Sequence, residues 1–173
     1  MMLADQFVLL DAKQHDLKAF DCGKPEMNQF LSRYADKNRK LGLSSTWVLP
    51  EQLAQNEKKK SIVAAYYTLA SATVSREKIP SDKKLPAYPV PVILLARLAV
   101  NSVYQKQGLG EKTLVTALRQ CVRLTDRGLP ALGVVLDVLD QEALGFYQSF
   151  DVFQNLTDNP MRLFVPMNVL RQV

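Results

Sequence analysis

Gln105-Lys106-Gln107-Gly108-Leu109-Gly110 stands between an apolar run at 92–100 and an amphipathic stretch reaching about 125. The pattern reads as buried strand, tight turn and helix. The first turn of a helix carries backbone N–H groups with no intrahelical acceptor and a partial positive charge. Aimed at a diphosphate, those groups make an anion site. Glycines at 108 and 110 let the backbone approach phosphate oxygens with no Cβ between. Lys106 and Lys112 stand ready to add charge. Two familiar phosphate patterns fail here. Walker A needs a glycine directly before its lysine and another five positions earlier, where Glu111 and Lys106 stand. The dinucleotide fingerprint needs a third glycine in the place of Thr113, and it usually opens a first βα unit. The plain alternative is a glycine turn that starts a helix.

Other chemistry is sparse. His15 is the one histidine, far from the glycine turn, and no Ser-His-Asp or Cys-His set can be built on it. One histidine and two distant cysteines argue against a zinc site, so no metal is expected. Cys22 and Cys121 make no disulfide framework and read as two reduced, buried thiols. Lys58, Lys59 and Lys60 read as a solvated hairpin tip.

The elements that hold the turn follow from periodicity. A short apolar run at 7–10 reads as a strand. Pro25 fits the first turn of a helix, with Met27, Phe30, Leu31 and Tyr34 at helical spacing. A second, more basic helix follows through 40. Strands at 45–49 and 62–74, joined by a polar loop at 50–60, form a hairpin. Prolines at 80, 86, 89 and 91 mark an irregular connection over 76–91. The run at 92–100 reads as a buried central strand. The helix after the glycine turn shows an apolar face of Leu114, Ala117, Leu118 and Cys121. A buried-type strand at 132–139 precedes a helix to about 150, with Asp140 as its cap. Two strands, 152–155 and 161–165, close the chain. The order β-α-α-β-β-β-α-β-α-β-β is mixed α/β, one sheet covered by helices. No linker or repeat interrupts residues 1–173, read as one domain.

The chain is 47% hydrophobic and 23% charged, an ordinary globular balance, with net charge +5 and pI about 9.2. That excess favours an anionic partner without choosing among nucleic acid, coenzyme phosphates or acidic protein. The start carries Asp5 and no cationic lead, so no secretory leader is expected. No apolar run approaches the ~18 residues of a membrane span. The expected compartment is the cytoplasm.

The turn Gln105-x-x-Gly108-x-Gly110 matches Q/R-x-x-G-x-G/A, the coenzyme A pyrophosphate loop of the GNAT superfamily of N-acetyltransferases. The chain resembles that superfamily from 20 to 164. The resemblance implies an α/β (α+β) fold: a central mixed, mostly antiparallel sheet flanked by helices and splayed between its fourth and fifth strands. Leu95-Ala96-Arg97-Leu98-Ala99-Val100 resembles the fourth strand. It implies that acetyl-CoA lays its pantetheine arm along the backbone of Leu98, Ala99 and Val100. Its pyrophosphate would rest on Gln105, Lys106, Gln107, Gly108, Leu109 and Gly110. Arg97, a charge inside this strand, reads as a structural ion pair or as a contact to substrate phosphate. Residues 134–147 resemble the superfamily segment V-x-x-x-N-x-x-A-x-x-F-Y, with Asp140 in place of asparagine. Asp151-Val152 stands where Gly-Phe is usual, and Asp tolerates left-handed geometry better than most residues. The resemblance gives Tyr147 the role of proton donor to the leaving thiolate. The alternative is an aromatic packing the helix onto the sheet, a task that adjacent Phe146 also fits.

Phe20-Asp21-Cys22-Gly23, then Met27-Asn28-x-Phe30-Leu31, resembles the opening of the toxin acetyltransferases of bacterial type II toxin–antitoxin modules. Leu95 to Val100 and Ala143-x-x-Phe146-Tyr147 match further segments of those proteins. That resemblance implies acetylation of the α-amine of aminoacyl-tRNA, which stalls translation. It also implies a ribbon-helix-helix antitoxin as partner and allows a homodimer. Arg33, Lys37, Arg39 and Lys40 could hold tRNA phosphates; a solvated helix face is the other reading. Two rival functions stand beside this one: an acetyltransferase for a protein N-terminus or polyamine, and a catalytically silent binding module.

Overall fold

The computed structural model describes residues 2–54, 57–80, 84–156 and 159–172. Residue 1 and parts of the polar loop and of the proline-rich connection lie outside the described residues. The elements in chain order are β1 (Val8–Leu9), β2 (His15–Asp16), α1 (Pro25–Gln29), a π turn (Phe30–Tyr34) and α2 (Ala35–Leu41). Next come β3 (Ser45–Pro50), β4 (Ser61–Val74), β5 (Val90–Val100), α3 (Leu109–Asp126) and β6 (Gly133–Asp137). The last are α4 (Gln141–Gln148), β7 (Gln154–Leu156), β8 (Asn159–Pro166) and α5 (Met167–Leu170). The strands follow the order β1-β3-β4-β5-β6-β8-β7, with β2 beside β4. This is the mixed α/β order expected, with two additions. β2 and α5 are too short to show a period, and β2 exists only because His15 and Asp16 pair with Ser61 and Ile62.

The chain divides into two compact units, Met1–Leu69 with Arg97–Ala117, and Ala70–Ala96 with Leu118–Val173. In the first, β3 and β4 form an antiparallel ladder from Ser45↔Leu69 to Pro50↔Val63. Leu31, Val48, Leu49, Val63, Ala64 and Ala65 are fully buried there. Tyr66 is buried as well, and its hydroxyl donates to the Met27 carbonyl at 2.7 Å. That bond removes most of the penalty of a buried polar group. Phe20 meets the Tyr66 ring edge-on at 5.3 Å, and Phe30 stacks on it at 6.4 Å.

One expectation about this unit needs correcting. The two helices at 25–41 are one continuous helical run joined by the π turn, in which the Ala35 N–H donates to the Phe30 carbonyl five residues back. The extra residue shifts the inward face. Ala35 is fully buried, whereas Tyr34, which shares the helical spacing of Met27, Phe30 and Leu31, is 50% exposed.

In the second unit β6 lies between β5, parallel to it, and β8, antiparallel. Val134, Val135 and Leu136 are therefore fully buried, which explains an unbroken apolar run. Gly133 is required by packing: a methyl there would strike the Val165 carbonyl and the Phe164 ring. Ile93, Leu94 and Leu95 pair with Val134, Val135 and Leu136, and the ladder stops there although β5 continues to Val100. A ladder this short agrees with the splayed strand pair that the resemblance implies. No helix among the described residues is long and apolar enough to cross a membrane.

Candidate active site

The first unit holds the glycine turn. Asn101 ends β5 by giving its side-chain amide to the Val63 carbonyl (3.1 Å) and accepting from the Val103 N–H (3.3 Å). A single helical turn, Ser102–Tyr104, leads into the loop. Lys106 and Gly108 both sit in left-handed backbone, at φ 63° and 82°. That geometry is easy for glycine and strained for lysine. α3 then begins, and the Gly108 carbonyl accepts from Lys112 N–H at 3.2 Å. The N–H groups of Leu109, Gly110 and Glu111 thus form the helix's first turn, where no intrahelical acceptor exists. Leu109 is buried against Leu49, Ala64 and Ala65, which anchors the helix start.

The Gln105 side chain fastens the loop. Its side-chain amide donates to the Val100 carbonyl at 2.8 Å and to the Cys22 carbonyl at 2.9 Å. The side chain is a clamp that fastens the loop, so only its backbone remains to face an anion. The Cys22 end is itself built by the Phe-Asp-Cys-Gly segment. Asp21 accepts from the Gly23 N–H and from the Asn28 amide, each at 2.9 Å, and Asn28 accepts from the Cys22 N–H at 2.9 Å. The Gly23 bond and then the Asn28 bond hold the Asp21 carboxyl below its usual range. Ser102 adds two bonds to the Asp21 carbonyl. This motif, legible only as a resemblance, is the socket that positions the glycine turn.

An added Cβ at Gly108 would meet no protein atom within 4 Å. A larger residue there encounters left-handed strain of roughly 1–2 kcal/mol and whatever ligand the turn holds. Gly108→Val is therefore expected to lower the melting temperature modestly and to weaken acetyl-CoA binding far more. Calorimetry on the folded variant checks this; unchanged affinity would remove the pyrophosphate assignment.

Tyr147 belongs to the second unit. Asp140 caps α4 by accepting from the Ala143 N–H at 2.9 Å, as its residue type predicts. The helix ends with Asp151 at φ 55°, the left-handed residue where the superfamily pattern has glycine. The turn survives the substitution at some strain, and Asp151→Gly is expected to stabilise the protein by up to about 1 kcal/mol, the left-handed penalty of an L residue (~1–2 kcal/mol) less glycine's entropy cost, read as a higher denaturation midpoint. The packing role given to Phe146 needs revision. Tyr147 is the buried residue of α4, at 7% exposure, with edge-on contacts to Phe146 at 5.3 Å and Phe153 at 6.1 Å. Phe146 is only half-buried. No group among the described residues hydrogen-bonds the Tyr147 hydroxyl, and the oxygen is not sealed from solvent. Burial raises the phenol's pKa well above its ordinary value, so it stays a neutral donor.

The basic residues sort into two kinds. Arg39 and Lys40 both pair with Asp36 at 3.0 Å, which holds that carboxyl below its usual range. Both side chains remain exposed. Arg33 and Lys37 are exposed and have no ion-pair partner among the described residues. Arg97 bonds Glu26 at 3.3 Å and lies 4.9 Å over the Phe30 ring. These contacts are those of the structural ion-pair reading. His15 is buried, its Nδ1 accepts from the Asp11 N–H at 3.0 Å, and burial lowers its pKa. Any stability it adds exists above its ordinary value and fades as pH falls below it. Both cysteines are buried and free. No group of three or more metal-binding side chains clusters among the described residues.

No family model matches the chain. The tRNA-acetylating toxin of Mycobacterium tuberculosis is 34% identical over 159 residues, covering 90% of this chain and 89% of that protein. The chain belongs to the tRNA-acetylating toxins. Solved structures of this kind superpose along its length. AtaT complexed with acetyl-methionyl-tRNAfMet has a TM-score of 0.83 at 26% identity, covering 98% of both chains. AtaTR bound with acetyl-CoA also has a TM-score of 0.83 at 26% identity, covering 99% of this chain and 97% of that one. The fold is therefore that of the toxin acetyltransferases, a branch of the GNAT superfamily.

Proposed function

We propose that the protein transfers acetyl from acetyl-CoA to the α-amine of aminoacyl-tRNA and arrests translation as the toxin of a toxin–antitoxin module. The observation that carries this is the similarity to a tRNA-acetylating toxin along nine-tenths of the chain. Residues 1–173 act as one acetyltransferase domain on this reading, since the relative matches across both units. The Leu109, Gly110 and Glu111 N–H groups receive the cofactor's pyrophosphate, and the backbone of Leu98, Ala99 and Val100 pairs with its pantetheine arm.

The reaction needs a neutral amine, and an unperturbed α-amine has a pKa of ~7.7. An ester neighbour lowers it further, so no strong general base is required. The amine nitrogen attacks the thioester carbon, the C–S bond breaks, and the amine's proton balances the thiol formed. A phenol raised by burial is a weaker acid than a thiol of pKa ~8.5. Tyr147 therefore acts by a hydrogen bond to the sulfur as negative charge develops, completing transfer only as the nitrogen loses its proton. The cytoplasm supplies both substrates. A ribbon-helix-helix antitoxin is the regulatory partner, and self-association into a homodimer belongs to the same reading.

Incubation with labelled acetyl-CoA and total charged tRNA tests the proposal. Label recovered as N-acetylated amino acid after mild base hydrolysis is the expected result. Label on a polyamine or a protein N-terminus, with charged tRNA untouched, would assign the chain to a different acceptor. No turnover on any amine would make it a binding module.

A further inference from the structure

Arg119, Arg123 and Arg127 stand four residues apart, a spacing that sets side chains above one another along one side of a helix. α3 carries the first two. The Arg127 N–H donates to the Arg123 carbonyl at 3.1 Å, which continues the helical bonding to the third. A rise of about 1.5 Å per residue puts neighbouring arginines about 6 Å apart along the axis. All three belong to the second unit, and all are exposed. The other side of the helix packs inward, with Leu118 and Cys121 buried.

None of the three has an ion-pair partner among the described residues. Asp126, beside them in sequence, is engaged by Arg171 at 3.1 Å. A helix dipole favours cations at its C-terminal end, and that accounts for Arg123 and Arg127. The effect fades within the last turn. It does not reach Arg119, two turns before the helix ends at Asp126.

The surroundings select the partner. The exposed residues of 118–127 are the three arginines and Asp126, with no apolar side chain exposed among them. A protein partner needs an apolar centre from which charge is depleted. A nucleic-acid backbone needs the reverse, a polar and strongly positive surface. Guanidinium suits phosphate because its planar fork offers paired N–H donors. The step between the arginines is also close to the separation of neighbouring phosphates along one strand.

We propose that the arginine ladder of α3 is a phosphate-binding track for the tRNA substrate, with the three guanidinium groups on successive phosphates of one strand. The inference rests on the reading that the acceptor amine is borne by RNA. It adds a contact surface in the second unit to the one that Arg33 and Lys37 offer in the first. The arginines position the RNA and take no part in the chemistry.

The test is steady-state acetylation of charged tRNA beside acetylation of an amino-acid methyl ester, which has the amine and no RNA. Arg119→Gln, Arg123→Gln and Arg127→Gln are combined in one variant, since glutamine keeps the helix propensity of arginine. KM for charged tRNA is expected to rise at least about tenfold at low salt, with kcat little changed. The slope of log affinity against log salt should flatten by about 2.1–2.7, the share of three phosphate contacts. The KM for the methyl ester and the affinity for acetyl-CoA should not follow. Lysine at the same three positions keeps the charge and should restore both the low KM and the steep slope. Equal tRNA KM values and salt slopes in wild type and the glutamine variant, both folded by their melting curves, would overturn the track and leave the enzyme's function intact. A glutamine variant that keeps its tRNA KM but escapes silencing by the antitoxin would make the ladder a protein contact and overturn it equally. A wild type that acetylates the ester but ignores charged tRNA would overturn both readings.

Discussion

Tyr147→Phe is expected to lower kcat by ~10²–10⁴-fold, the usual range for a positioned acid, with little change in acetyl-CoA affinity. The structure makes the substitution clean. Tyr147 packs through its ring, at 5.3 Å from Phe146 and 6.1 Å from Phe153, and phenylalanine retains those contacts. The hydroxyl has no hydrogen-bond partner among the described residues, so its removal orphans no described group. The melting temperature should therefore hold while turnover collapses. The pH profile adds a second readout. Burial shifts the phenol upward, so it keeps its proton throughout the neutral range. The rise of rate with pH should follow the substrate amine, near or below ~7.7, and keep its position in the variant. Wild-type turnover in Tyr147→Phe would leave the residue a packing aromatic alone. A toxin also predicts a cellular result: growth arrest by the wild type and relief of that arrest by the variant.

Reversing the charge of Arg33 and Lys37 together should raise KM for charged tRNA at least about tenfold at low salt. Each phosphate contact contributes ~0.7–0.9 to the slope of log affinity against log salt. Losing two should flatten that slope by about 1.4–1.8. Reversal of Arg39 and Lys40 should do less, because Asp36 already engages both. Binding of acetyl-CoA, which the glycine turn governs, should be indifferent to either pair. A salt slope that the Arg33 and Lys37 double variant leaves unchanged would place the RNA on another surface.

Three features were decided by neighbours in the sequence and were legible there. The turn from Gln105 to Gly110 and its helix follow from an apolar run, two glycines and an amphipathic period. Asp140 caps α4 because its carboxylate reaches an N–H three residues on. Asp151 replaces a turn glycine and still adopts left-handed backbone, as a short polar side chain can. The pairing of Asp36 with Arg39 and Lys40 was also readable, since residues three and four apart on a helix meet. That spacing shows why two of the four cations, Arg33 and Lys37, have no ion-pair partner among the described residues while the other two do.

Tertiary structure decided the rest, because the partners are distant or the alternatives close in energy. Gln105 reads as a phosphate-loop residue until the fold brings the Cys22 carbonyl, 83 positions away, within 2.9 Å. Arg97 reads as an ion pair with no partner nameable from sequence until Glu26, 71 positions away, meets it. Gly133 reads as an ordinary strand residue until β8 places the Val165 carbonyl where a methyl would stand. The π turn is the clearest case. Residues 30–34 suit an α-helix equally well, and local preference cannot count one extra residue per turn. Packing settles it: a fully buried place is filled by Ala35, and the larger Tyr34 is turned to solvent.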